Sequence, residues 1–197
     1  MLSREEEYTT SVIEKNTQRQ FIPVPLCFQE TPYTCGVACV QSILACYGII
    51  YRQDVLSEML KQKPLYGTDY QNIINFMEML GFYAAYHIEM SIETLKSLID
   101  IKITPLLLLQ AWKDDPVDYT YDWRDSHYVV ACGYEEDRIL FMDPWTLANY
   151  TYIPNNELMK RWHTVDQAGN HNYYTGLVIK NDNLPMLYNP SNIKRLD

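Results

Sequence analysis

Residues 29–48, QETPYTCGVACVQSILACYG, constrain this chain more than any other stretch. Pro32 interrupts regular structure. Cys35 then opens a run in which Ala38, Cys39, Ser42, Ile43, Cys46 and Tyr47 recur at three- and four-residue steps, with Gly48 as the stop. Such spacing predicts a helix with one apolar stripe, and its first residue is a cysteine. A thiol at a helix start lies at the positive end of the helix dipole, which favours thiolate. Gln29, six residues upstream, can bring a side-chain amide back beside the sulfur. The combination suits a cysteine nucleophile with an oxyanion hole, and it calls for a histidine further along, with a third group to orient it.

The chain has four histidines. His127 opens the segment SHYVVACGYEEDRILFMDP, in which Tyr128, Val129 and Val130 make one β-forming run and Ile139, Leu140 and Phe141 a second. The polar residues 135–138 between them form a turn. A hairpin with its midpoint at Glu135 sets Asp143 opposite His127, where a carboxylate can hold an imidazole tautomer. His163 and His171 lie in the polar stretch HTVDQAGNHN, and His87 alternates with apolar neighbours in a strand, so it reads as a packing residue.

With Gln29, then Cys35-Gly36 backed by Ala38 and Cys39, then His127-Tyr128-Val129-Val130, then Asp143-Pro144, the chain resembles the bacteriocin-processing peptidase family. The resemblance runs over residues 21–177 and implies an α+β, papain-like cysteine peptidase fold. In it a helical half, with the nucleophile at the N-terminus of the central helix, packs on an antiparallel sheet half. Carried over residue by residue, Cys35 is the nucleophile, His127 the general base, Asp143 the orienting carboxylate and Gln29 the oxyanion donor. Gly36, Asp125 and Trp145 are expected to contact substrate. The best-known members sit on ABC transporters and cleave leader peptides after a Gly-Gly pair. Two features depart from that pattern. Thr34 stands where transporter-linked members commonly carry Asp, and no run of eighteen or more apolar residues predicts a membrane-spanning helix. The expected protein is therefore a stand-alone domain acting on a peptide or protein, with a leader peptide as one substrate. An acyltransferase or transpeptidase on the same Cys-His-Asp chemistry, and a papain-like domain that binds peptide without cutting it, are the other readings.

A net charge of −9 and a pI near 4.9 argue against nucleic acid or an anionic membrane surface as partner. The five cysteines are odd in number, no Cys-x-x-Cys occurs, and the polar opening residues 1–20 lack the apolar core of a signal peptide, so free thiols and a cytoplasmic location are expected. Cys35, Cys39 and Cys46 share a helix face without a fourth ligand, so neither metal nor cofactor is expected.

In order, the chain reads as a polar extension (1–20), one peptidase domain (21–180) and a tail (181–197). Residues 21–28, with two prolines, are extended. Helices are expected over 53–62, 69–80, 91–100 and 155–162, the last capped by Asn155. Strands are expected over 82–88, 104–111, 150–154 and 173–179. The acidic, aromatic stretch 112–126, WKDDPVDYTYDWRDS, leads into His127 and is expected to border the cleft and favour a cationic substrate.

Overall fold

The computed structural model describes residues 19–111, 118–166, 168–193 and 195. The polar opening stretch through residue 18, and the segment 112–117 with Trp112, Asp114 and Asp115, lie outside the described residues. After a two-residue strand, β1 (Gln20–Phe21), the chain stays extended past Pro23 and Pro25, which forbid helix there. It then turns into α1 (Cys35–Cys46), of whose twelve residues ten are buried, so this helix is covered on nearly every side. Gly48 stops it in the left-handed region at φ +77°, with Leu187 packed 3.0 Å from where a Cβ would stand. The backbone N–H groups of Leu187 and Tyr188 both donate to the Cys46 carbonyl, so the C-terminal tail closes the helix end.

Two further helices follow, α2 (Gln53–Met59) and α3 (Tyr70–Met79). The Asp69 side chain caps α3 by accepting from the Gln71 N–H. Beyond them come β2 (Tyr83–His87), α4 (Ile92–Asp100), β3 (Leu106–Gln110) and a 3₁₀ turn at Tyr119–Tyr121. The long strand β4 (Ser126–Tyr134) pairs with β5 (Arg138–Met142), and β6 (Thr151–Pro154) leads into α5 (Asn155–Arg161). Three short strands end the domain: β7 (His163–Val165), β8 (His171–Tyr173) and β9 (Gly176–Lys180).

One antiparallel sheet runs β2-β9-β3-β4-β5-β6, with β1 also along β4, and β7 and β8 form a separate ribbon. α1 packs on β4, where the Cys39 thiol meets the Tyr128 carbonyl at 3.4 Å. The fold is the α+β arrangement expected, a helical half against an antiparallel sheet half. Among the described residues no helix is long and apolar enough to cross a membrane.

Several local expectations change. His163–Val165 and His171–Tyr173, in the stretch read as polar, pair as the β7–β8 ribbon, and Trp123 lies with its ring centroid 4.1 Å from both His163 and His171. Its strands are too short to show periodicity, and the aromatic that buries it comes from a distant loop. His163 is accordingly buried, while His87 is exposed at the end of β2. The helix expected over 53–62 ends at Met59, because the chain bends at Lys61 with φ 51°. Pro154, not Asn155, caps α5; the Asn155 amide donates instead to the Glu136 carbonyl.

Candidate active site

Cys35 is the first residue of α1 and is 6% exposed. Thr34 precedes it but makes no side-chain cap to the helix; its hydroxyl donates to the Thr31 carbonyl and accepts from the Thr31 N–H. The positive end of α1 is therefore left to whatever stands at Cys35.

β4 supplies His127 from within the sheet, 1% exposed, and its Nε2 lies 2.7 Å from Asp143 Oδ1. The two are not cross-strand partners as the sequence suggested. The turn lies at Glu136-Asp137, closed by the Glu135 N–H on the Arg138 carbonyl. Tyr134 pairs with Ile139 and Gly133 with Leu140, but Ala131 pairs with Phe141 and Val130 with Met142. Cys132 is thus an extra residue on β4, a bulge. Without it, continuation of the register would put Asp143 opposite Val130, on the other face from His127. With it, Asp143 falls opposite Val129, on His127's face and one diagonal step away.

Asp143 is held from three sides: its Oδ1 also accepts from the Trp145 N–H at 2.9 Å, and its Oδ2 from the Thr146 hydroxyl at 2.9 Å. Burial works against its charge, but the His127 contact and these donors win, and its pKa lies below the usual carboxylate value. An ionised carboxylate only accepts, so the His127 proton sits on Nε2. Burial also disfavours a charged His127. The hydrogen bond of its ring to Asp143, and the electrostatic influence of Cys35 and Asp143, overcome that and raise its pKa. With Nε2 committed to Asp143, Nδ1 is the nitrogen left to serve Cys35. Burial raises the other thiols: Cys27 to about 11, Cys46 to about 12, and Cys39 and Cys132 well above their usual value.

Gln29 is buried beside this turn, its N–H donating to the Pro144 carbonyl at 2.9 Å. Its Nε2 donates to the Thr31 carbonyl at 2.7 Å, so one of its two amide hydrogens shapes the loop before Cys35. Gly36, expected to admit substrate, is buried, and a Cβ there would stand 3.0 Å from the Tyr128 ring and 3.1 Å from Thr68. Its smallness lets α1 seat on β4. Trp145 is half exposed and stacks on Phe28, ring centroids 6.2 Å apart. Asp125 is tied into the loop: its N–H donates to Gln110 Oε1 and its carbonyl accepts from Ala111. Asp122 is buried against Arg124, and Asp118 caps the 3₁₀ turn, so these acids hold the described part of the loop together.

A cleft of about 110 Å³ opens on the Cys35 side, between Thr68 and Tyr70, Ser126 and Tyr128, and Thr164. Tyr70 and Tyr86 stack at its wall, centroids 4.2 Å apart, and the Tyr128 hydroxyl donates to the Thr68 carbonyl. Sequence reading passed over Tyr128 and Thr146. Each stands beside a recognised residue, but Tyr128 reads as an ordinary β-former, and Thr146 gains meaning only from the turn at Asp143.

The sequence pattern of the Peptidase C39 family matches residues 24–166. No curated protein matches. Among solved structures, the chain is similar to the peptidase domain of ComA from Streptococcus, a bi-functional ABC transporter involved in a quorum-sensing pathway. Identity is 20% with a TM-score of 0.58, covering 84% of this chain and 98% of that one. A double-glycine-motif protease from an AMS/PCAT transporter, solved with the leader peptide, is 17% identical with a TM-score of 0.59, covering 85% of this chain and 96% of that one. A C39-like peptidase from Bacillus anthracis is 17% identical with a TM-score of 0.65, covering 83% and 98%. At these identities the structures share the fold.

Proposed function

Because the chain belongs to the peptidase C39 family of papain-like cysteine peptidases, we propose that Cys35, His127 and Asp143 form its catalytic triad and cut a leader-type peptide after a pair of glycines. The observation that carries the triad is the His127–Asp143 contact of 2.7 Å on a ring that interacts electrostatically with Cys35 at the head of α1.

His127 Nδ1 takes the proton of Cys35 as the sulfur attacks the scissile carbonyl. The new S–C bond leaves negative charge on the carbonyl oxygen, which the Cys35 N–H and the second Gln29 amide hydrogen receive. The C–N bond then breaks, and the leaving amine departs with the proton from His127. Water, deprotonated by the same ring, attacks the thioester and frees Cys35. Asp143 stays charged throughout; it keeps Nε2 protonated and stabilises the imidazolium. Support for glycine pairs comes from the double-glycine protease solved with a leader peptide, and from the tightness of the Cys35 cleft between Tyr128, Tyr70 and Thr68.

The test is cleavage of a peptide series that differs only before the scissile bond, as Gly-Gly, Gly-Ala, Ala-Gly and Leu-Gly. Cutting after Gly-Gly by the parent protein and not by Cys35→Ala supports the reading. Equal cutting of all four overturns the glycine-pair substrate, and no cutting of any, with Cys35 unreactive, overturns the triad.

A further inference from the structure

A second cavity, of about 180 Å³, lies beside the same site. His127 and Asp143 share its lining with Leu109, Phe141, Ile153 and Arg161. Strand alternation separates it from the Cys35 cleft. On β4, Ser126 and Tyr128 point to the face of the Cys35 cleft, with Leu108 opposite Tyr128. His127 points to the other face, with Leu109 directly opposite it. Cys35 thus lines one cleft and His127 the other.

That division matches the chemistry, if the chain is the peptidase proposed above. After C–N cleavage the acyl half stays on Cys35, while the amine half leaves from His127, which gives it a proton. We infer that the cavity at His127 and Asp143 is a subsite for an apolar side chain on the leaving-group side of the scissile bond, within the first two residues. An apolar recess with a few polar groups in its lining is the usual form of a side-chain pocket. The space suits a leucine- or methionine-sized group. Arg161 argues against a cationic one. Its guanidinium is fixed by Glu157, by the Gln110 carbonyl and by stacking 4.0 Å over the Tyr119 ring.

The experiment uses the full chain and peptides with one Gly-Gly acyl half, varied after the scissile bond as Leu, Met, Ala or Lys. A peptide aldehyde ending in Gly-Gly, which fills only the acyl half, is the companion probe. The parent protein should prefer Leu or Met over Lys by roughly 10–200-fold in kcat/KM, the range an apolar pocket gives. Thr151→Phe and Ile153→Phe, which fill the cavity from β6, should level the series and leave aldehyde binding unchanged. A flat series in the parent, or a preference that survives both fillings, overturns the subsite while aldehyde binding keeps the peptidase reading intact. A parent that neither cleaves nor binds the aldehyde overturns that reading, and the subsite with it. Should either filled variant fail to fold, the parent series decides alone.

Discussion

His127 and Asp143 meet at 2.7 Å although neither is the other's cross-strand partner. The contact depends on the bulge at Cys132, which moves the β4–β5 register by one residue and returns Asp143 to the face of His127. Burial costs both groups, and their mutual attraction outweighs it: His127 titrates above, and Asp143 below, its ordinary value.

That coupling sets a pH window. The raised His127 contributes stability fully present below its ordinary 6.5 and lost as pH rises through its higher folded value. The lowered Asp143 contributes stability present above its ordinary 3.8 and lost as pH falls through its lower folded value. The Tm difference between the parent and Asp143→Asn should therefore be largest between those two ordinary values and shrink on both sides. A difference that stays constant from acid to alkaline pH would contradict the ion pair.

Iodoacetamide at neutral pH should alkylate Cys35 well before the other four cysteines, because burial holds those as thiols, Cys27 at about 11 and Cys46 at about 12. His127→Ala should slow that labelling. Mass-spectrometric mapping that finds Cys27 or Cys132 modified first removes Cys35 from the nucleophile's place.

Gln29→Ala should lower kcat by roughly 10²–10³, the effect of losing one oxyanion donor. It should also cost about 0.5–1.5 kcal/mol of stability, since one hydrogen bond to the Thr31 carbonyl is lost while that carbonyl keeps the Thr34 N–H and hydroxyl. Turnover measured far below the variant's Tm separates the two effects. A loss of stability with kcat unchanged leaves Gln29 only its loop-shaping bond.

Gly36→Ala should destabilise the fold by about 1–3 kcal/mol, because the new methyl presses on the Tyr128 ring and Thr68. Denaturant unfolding reads this directly. A neutral result would mean that α1 can shift off β4 without penalty.

Asp143→Asn should reduce turnover less than His127→Ala, since Asp143 orients the ring and carries no proton in the reaction. Equal and complete loss in two folded variants would point to another task for the carboxylate.

The sequence by itself determined the parts of the site that local patterns encode. A helix beginning at Cys35 follows from Pro32 and the apolar stripe. Strands on either side of residues 135–138 follow from their β-formers, and the capped start of α3 follows from Asp69. Tertiary structure decided what depends on residues far apart in the chain. His163–Val165 and His171–Tyr173, polar in sequence, form a ribbon that Trp123 supplies with apolar cover. Gly36 is needed small because Tyr128 and Thr68 close over it, and the tail is ordered by the open carbonyl of Cys46. The meeting of His127 with Asp143 belongs to both levels. Side-chain alternation makes the pairing of faces depend on the parity of the register, and a bulge, which carries no signal in the local sequence, sets that parity.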